Sequence, residues 1–256
     1  MTLRCRIGIK VIPVLLLAAL VCACAGKAVR EEKTPGPGLF RPLTMTERLV
    51  ATAQIDLLAD EKRYPLRVAL ILQRPAYLRL EVLPVIGTPD FFLSATPDDL
   101  RAFFPSRGEF YTGKPTADHL THFLPWGLSV EDAVFLLTGA FPFPEENFSF
   151  AGKRDAAGGR RAQRKDTTGN TQIIWMDREG RPDKVICLSA DGADIYSAGY
   201  ADYDGANRLA GKITLRWAKS GASVTVRYAD WKIEPAADTA VFSLPYPPGV
   251  KIISLD

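Results

Sequence analysis

The chain has 256 residues, of which 47% are hydrophobic, 10% aromatic and 24% charged. That balance excludes a disordered chain, a collagen-like fibre and a polytopic membrane protein. The formal charge of +3 comes from 32 basic against 29 acidic side chains, and Arg4, Arg6 and Lys10 account for the whole excess. Beyond them the chain is formally neutral, which argues against nucleic acid as a partner.

Three cations in Met1 to Lys10 precede an almost wholly apolar run, Val11 to Ala23. A bilayer span needs about 20 apolar residues, so the run is short for a transmembrane helix and reads as a secretory signal. Val21-Cys22-Ala23-Cys24 then resembles a bacterial lipobox. It has an aliphatic residue three positions before the cysteine and a small one immediately before it. On that resemblance residues 1–23 are the lipoprotein signal, and Cys24 carries a thioether-linked diacylglycerol and an N-acyl chain. No other cofactor is expected. Of the four cysteines only Cys187 then remains as a thiol, inside the apolar run Val185 to Leu188, where it reads as a small buried hydrophobe. Residues 24–44 hold Glu31-Glu32-Lys33 and Pro35-Gly36-Pro37-Gly38, the composition of a tether with a root-mean-square span of about 25 Å. Ala25 rather than Asp follows the lipidated position, which by resemblance to the proteobacterial sorting rule implies the outer membrane of a bacterial envelope rather than retention at the inner one.

From residue 45 to 256 the chain reads as one β-rich domain. Thr44-Met45-Thr46-Glu47 has the form of a capping box and predicts a short helix over about 45–54. Strict alternation then predicts strands. Leu78, Leu80 and Val82 point one way against Tyr77, Arg79 and Glu81. Ile213, Leu215 and Trp217 face away from Lys212, Thr214 and Arg216, and Val224 and Val226 away from Ser223 and Thr225. Lys219-Ser220-Gly221 joins the last two as a hairpin. Further turns are expected at 96–99, 179–182, 190–193 and 204–207. Mid-chain, residues 115–123 read as a helix. Ser129 caps a second one that is rich in Ala, Val, Phe and Leu and stops at Gly139.

About eleven strands with few helices make a mainly β fold of antiparallel strands. So few short helices cannot cover a flat sheet of that width, and the sheet must curl. Its apolar face either packs dry against the helices or leaves an apolar cavity.

Three segments, in order, resemble the lipoprotein-localisation factors LolA and LolB and their lipoprotein relatives. Tyr77-Leu78-Arg79-Leu80-Glu81-Val82-Leu83-Pro84-Val85-Ile86-Gly87-Thr88-Pro89 is similar to a LolB-like strand, loop and following strand. Leu124-Pro125-Trp126-Gly127-Leu128-Ser129 through Leu136-Leu137-Thr138-Gly139 resembles the lid-helix segment, and Phe242-Ser243-Leu244-Pro245-Tyr246-Pro247-Pro248-Gly249-Val250 the LolA-type ending. The resemblance implies a strongly curved antiparallel half-barrel with a helical lid, whose concave face accepts lipid or lipoprotein acyl chains. Leu78, Leu80, Val82, Leu215, Trp217, Val224 and Val226 would line it. Val85 and Ile86 would form an exposed loop that delivers cargo to a membrane or touches a periplasmic carrier protein. The bland alternative folds them back onto the sheet. A second function class keeps the same fold with a filled core and binds a protein partner in the cell envelope.

Nothing in the sequence marks an enzyme. Asp118-His119 and His122 hold the only two histidines, with no glutamate or cysteine placed to complete a metal site. The carboxylate pairs Asp98-Asp99, Glu145-Glu146 and Asp202/Asp204 sit in turns or at a strand end, without a cleft. The basic residues Lys153, Arg154, Arg160, Arg161, Arg164 and Lys165 read as a solvated hairpin edge, with anionic head groups as the sharper alternative.

Overall fold

The computed structural model describes residues 40–124, 127–140, 158–165, 169–203 and 208–256, and the backbone of 149–150. Among these, fourteen strands form one open sheet in the order β14-β6-β5-β4-β3-β2-β1-β13-β12-β11-β10-β9-β8-β7. β1 (Glu47–Ala59) and β13 (Ser223–Pro235) are the longest, with 13 residues each, and they pair at the centre. On one side of β1 lie β2 (Lys62–Gln73), β3 (Tyr77–Leu83), β4 (Phe91–Ala95), β5 (Leu100–Phe104) and β6 (Glu109–Gly113). On the other side of β13 run β12 (Ala210–Trp217), β11 (Asp194–Tyr203), β10 (Pro182–Leu188), β9 (Thr171–Met176), β8 (Arg160–Lys165) and β7 (Ser149–Phe150). Every neighbouring pair is antiparallel except β6 with β14 (Lys251–Ser254), which run parallel. The sheet is the expected half-barrel, wider by three strands than the sequence spacing predicts.

The helix expected over 45–54 is instead the first half of β1. The local contact that prompted the reading does form: Thr44 N donates to Glu47 Oε2 at 3.1 Å. The backbone nevertheless extends, because Leu49, Ala51, Ala53 and Ile55 are buried at a period of two. Strands on both sides satisfy the backbone of β1, and tertiary pairing outweighs a local capping signal. The paired registers step from Thr52–Asp230 to Ala53–Tyr228, leaving Ala229 as a bulge that bends β13 at mid-sheet.

The concave face carries the core. Leu70, Leu78, Leu93, Leu100, Ile174, Val185, Ile213, Leu215, Val224 and Val226 are all at most 1% exposed. Two helices lie on it, α1 (Ala117–Thr121) and α2 (Val130–Thr138), as the sequence predicts. Cys187 is buried in β10. The turns expected at 96–99, 179–182 and 190–193 join paired strands, and 204–207 lies outside the described residues.

The outer face of β3 to β6 is covered by the C-terminal segment. Arg79 Nη1 donates to Val241 O at 2.8 Å, Ser94 Oγ to Phe242 O, and Arg101 Nη1 to Leu244 O at 3.0 Å. Phe92, Phe103 and Phe110 stand in register on that face, and Tyr246 closes over Phe110 at 4.5 Å between ring centroids. The segment then turns at Gly249 and adds β14 to the edge, which is why one pair is parallel.

Phe110→Ala, at a fully buried site under this strap, is expected to cost about 3–5 kcal/mol in chemical denaturation. Ile252→Ala, at its half-exposed partner in β14, should stay within about 0.5 kcal/mol.

Candidate functional site

α2 is the piece that fills the half-barrel. Ser129 caps it: the Ser129 hydroxyl accepts from Asp132 N at 3.0 Å and donates to Asp132 Oδ2 at 2.9 Å. Gly139 ends it in the left-handed region, at φ 64°, donating to Phe135 O. Val130 and everything from Ala133 to Thr138 are buried. A helix apolar on nearly every side has no stable place in water, so it must sit inside the curl of the sheet.

Polar contacts hold both of its ends. At the N-terminal end Asp132 Oδ1 accepts from Arg164 Nη2 at 3.1 Å and from Gln172 Nε2 at 2.8 Å. Gln172 also accepts from Arg164 Nε at 2.7 Å and donates to the Tyr196 hydroxyl at 2.9 Å. Burial, with the Asp132 charge nearby, raises the Tyr196 pKa, so the phenol stays neutral. At the C-terminal end Tyr228 donates its hydroxyl to Leu137 O at 2.8 Å, and burial raises its pKa too. Arg164 thus turns inward from β8 to latch the helix, where the sequence predicts a solvated edge cation. Arg160 and Lys165 remain exposed, and Lys153 and Arg154 lie outside the described residues.

Between α1 and the sheet a gap of about 100 Å³ remains, lined by Ile55, Leu57, Leu66, Val68, Leu80, Val82, Phe91, Phe123 and Leu124. Phe123 is held by Tyr111 at 5.3 Å and Phe91 at 6.2 Å between centroids. Of the expected cavity residues, Leu80 and Val82 reach this gap. Leu78, Leu215, Val224 and Val226 are packed into the core, and Trp217 is half-buried against it. Alternation assigned all seven to the right face but could not tell which part of that face a helix covers. Phe91, Phe123 and Leu124 are lining residues that the sequence does not assign to the cavity; the alternation of Phe91 with Leu93 and Ala95 carries the signal for the first.

The gap lies at the pole of the sheet where β1 ends and β2 begins. Val85 and Ile86 stand at the same pole, each 90% exposed on the β3–β4 loop, so they do not fold back onto the sheet. Leu58, Tyr64 and Leu66 of the β1–β2 hairpin are exposed beside them. Five of the eight large hydrophobics exposed among the described residues therefore crowd one pole. Cys24 lies outside the described residues.

The remaining candidates are structural. His119 Nδ1 is 2.9 Å from Lys114 O and 3.8 Å from Asp256 Oδ1, and His122 is exposed. Asp99 pairs with Arg101 at 2.5 Å, Asp202 is exposed, and Glu145, Glu146 and Asp204 lie outside the described residues. Among the described residues no cluster of three metal-ligating side chains occurs, and no helix is long and apolar enough to cross a membrane.

No protein-family model matches the chain, and no curated protein does. Solved structures do match. A LolA superfamily protein from Nitrosomonas europaea superposes with a TM-score of 0.58 at 15% identity, over 80% of this chain and 94% of that one. A domain named for outer membrane lipoprotein sorting, from Vibrio parahaemolyticus, gives 0.56 at 16% identity, over 78% and 90%. A DUF1329 family protein from Desulfovibrio piger gives 0.57 at 11% identity, over 78% and 90%. At these identities the likeness is one of architecture. The chain has the fold of the LolA superfamily.

Proposed function

We propose that this protein is a lipoprotein of the bacterial cell envelope, anchored through Cys24 at the outer membrane, that binds lipid or lipoprotein acyl chains between its lid and its concave face. It works as a binding protein and not as an enzyme, and its only prosthetic group is the covalent lipid. The observation that carries the reading is the apolar gap under the lid, opening at the pole where Val85, Ile86, Tyr64 and Leu66 are exposed. Large hydrophobics gathered at one mouth are the signature of a surface that meets something apolar. The lipoprotein-sorting name of the Vibrio parahaemolyticus domain supports the same reading.

The gap of about 100 Å³ is well under the roughly 300 Å³ at which ligand pockets begin. Acyl-chain entry therefore requires the lid to move: the segment carrying Phe123 and Leu124 over the gap, and with it α2, which the Asp132–Arg164–Gln172 latch holds. The tightness of the closed state favours a second reading, in which the core stays filled and the apolar pole docks a protein partner such as a periplasmic carrier. Native mass spectrometry of the purified chain separates the two. Co-purified acyl species support the first, and their absence, with no response to added fatty acid, supports the second.

Three outcomes are expected. Asp132→Ala should cost about 2 kcal/mol, the scale of charge-assisted hydrogen bonds, and should increase uptake of a fluorescent fatty-acid analogue. Tryptophan emission follows that uptake, with Trp217→Phe as control; a less stable variant with unchanged uptake would mean that the latch only stabilises the fold. Val85→Glu with Ile86→Glu should leave the thermal midpoint nearly unchanged, since exposed sites stay within about 0.5 kcal/mol. The same pair should weaken binding to uncharged vesicles, because charged side chains resist an apolar phase. Cys24→Ala should release the protein from membranes in fractionation at high salt, where only a lipid anchor would hold it.

A further inference from the structure

The outer face of the sheet is divided. Its β3–β6 half is sealed by the C-terminal strap, and its other half, from β8 across β13 to β2, is uncovered among the described residues and carries an array of cations. Arg161, Trp175 and Lys184 stand in register across β8, β9 and β10. Both cations lie over the Trp175 ring, at 5.5 and 5.7 Å from its centroid. Further along, Lys212 and Arg227 face each other directly across β12 and β13. The row continues through Gln54 to Arg67 of β2, and Arg216 adds a further exposed cation on the same face of β12.

Carboxylates answer only part of this charge: Asp56 pairs with Arg227, and Asp194 lines the same outer groove as Lys184 and Arg216. Asp56 is shared between Arg63 and Arg227, at 2.8 Å to each, and the Arg63 hydrogen bond, helped by Arg227, lowers its pKa. Asp194 sits at the rim, opposite Leu188, and Asp183 at the bulge beside Lys184. Among the described residues no carboxylate lies within ion-pair distance of Arg67, Arg161, Lys184, Lys212 or Arg216. Like charges directly opposite each other disfavour an antiparallel pair; Asp56 offsets Arg227 at the Lys212–Arg227 juxtaposition and leaves Lys212 without a carboxylate among the described residues. Beyond its first 23 residues the chain is formally neutral. The cations on this face therefore do not reflect a general excess of positive charge.

We propose that this outer face is a docking surface for an anionic lipid bilayer, with phosphate head groups opposite the cations and Trp175 at head-group level. At about 4.8 Å between strands the cations spread over roughly 30 Å from β8 to β2, a broad array rather than a pocket. That geometry fits a plane of many phosphates better than a single bound anion. Half-buried tryptophan among basic side chains suits the polar boundary of a bilayer. Docked in this way, the lid and concave face point away from the bilayer. The proposal stands independently of acyl-chain binding, because it uses the opposite face of the sheet.

The test uses residues 24–256 carrying Cys24→Ala, so that neither a lipid anchor nor the apolar, basic signal segment contributes, and follows flotation with vesicles. Binding is expected to vesicles of phosphatidylcholine mixed with phosphatidylglycerol, absent with phosphatidylcholine alone, and lost as salt is raised. Lys184→Glu with Arg216→Glu should weaken it by at least about tenfold, each cation being worth about fivefold near a charged surface. Lys184→Arg with Arg216→Lys should retain it. If the reversal variant melts early, Lys184→Gln with Arg216→Gln is read instead, with a smaller loss expected. Equal binding to both vesicle types, or no response to charge reversal in a folded variant, overturns the proposal. Binding to polyglutamate without binding to the mixed vesicles also overturns it, in favour of an acidic protein partner.

Discussion

An antiparallel sheet with one continuous apolar face cannot leave that face in water, and the wider the sheet, the more cover it needs. Here fourteen strands supply the face, and a single nine-residue helix supplies most of the cover. The sheet therefore curls around the helix. Leu136 and Leu137 of α2 and Leu70, Leu78 and Leu215 of the sheet are all within 2% of complete burial. The curvature, the bulge at Ala229 and the nearly all-apolar composition of α2 are consequences of that one requirement. A polar face on α2 would leave buried donors and acceptors without water.

The two faces are closed by different physics. Inside, cover is by apolar side chains, and the polar groups are confined to the two ends of α2, where Asp132 and Leu137 O meet side chains of the sheet. Outside, the strap is held by side-chain donors of β3, β4 and β5 reaching backbone carbonyls, and by its own Phe242, Leu244 and Tyr246 packed onto the sheet. Backbone acceptors on an irregular segment must find donors when they are half-buried, and Arg79, Ser94 and Arg101 provide them.

What the sequence made legible was local and periodic. Ile213 and Leu215 against Lys212 and Thr214 gave a strand and its buried face, and Ser129 with Gly139 bounded α2 to the residue. Thr44 to Glu47 misled because the capping contact is real but the following residues repeat every two positions rather than every three or four. Longer-range features were not legible. Asp132, Arg164 and Gln172 are 32 and 40 residues apart and each resembles an ordinary surface residue. Nothing local says that they meet. The parallel β14 was hidden for the same reason, since its place depends on where the strap crosses. Alternation also could not distinguish residues under a helix from residues beside a gap, which is why seven cavity candidates reduced to Leu80 and Val82 at the gap itself.

The entry point of the chain has a mechanical consequence. Phe40 N donates to Glu179 O in the β9–β10 turn and its ring packs edge-on to Tyr203, which places the start of the domain at the pole opposite Val85 and Ile86. The two poles are separated by about the length of β1, 13 residues or roughly 40 Å. The fifteen residues between Cys24 and Phe40 make sixteen Cα–Cα steps, which can span at most about 55 Å. With the anchor proposed at Cys24, the domain would be leashed by its far end, and its apolar tip would have the largest radius of sweep. Shortening the leash would restrict where the tip can travel before it altered anything about the fold.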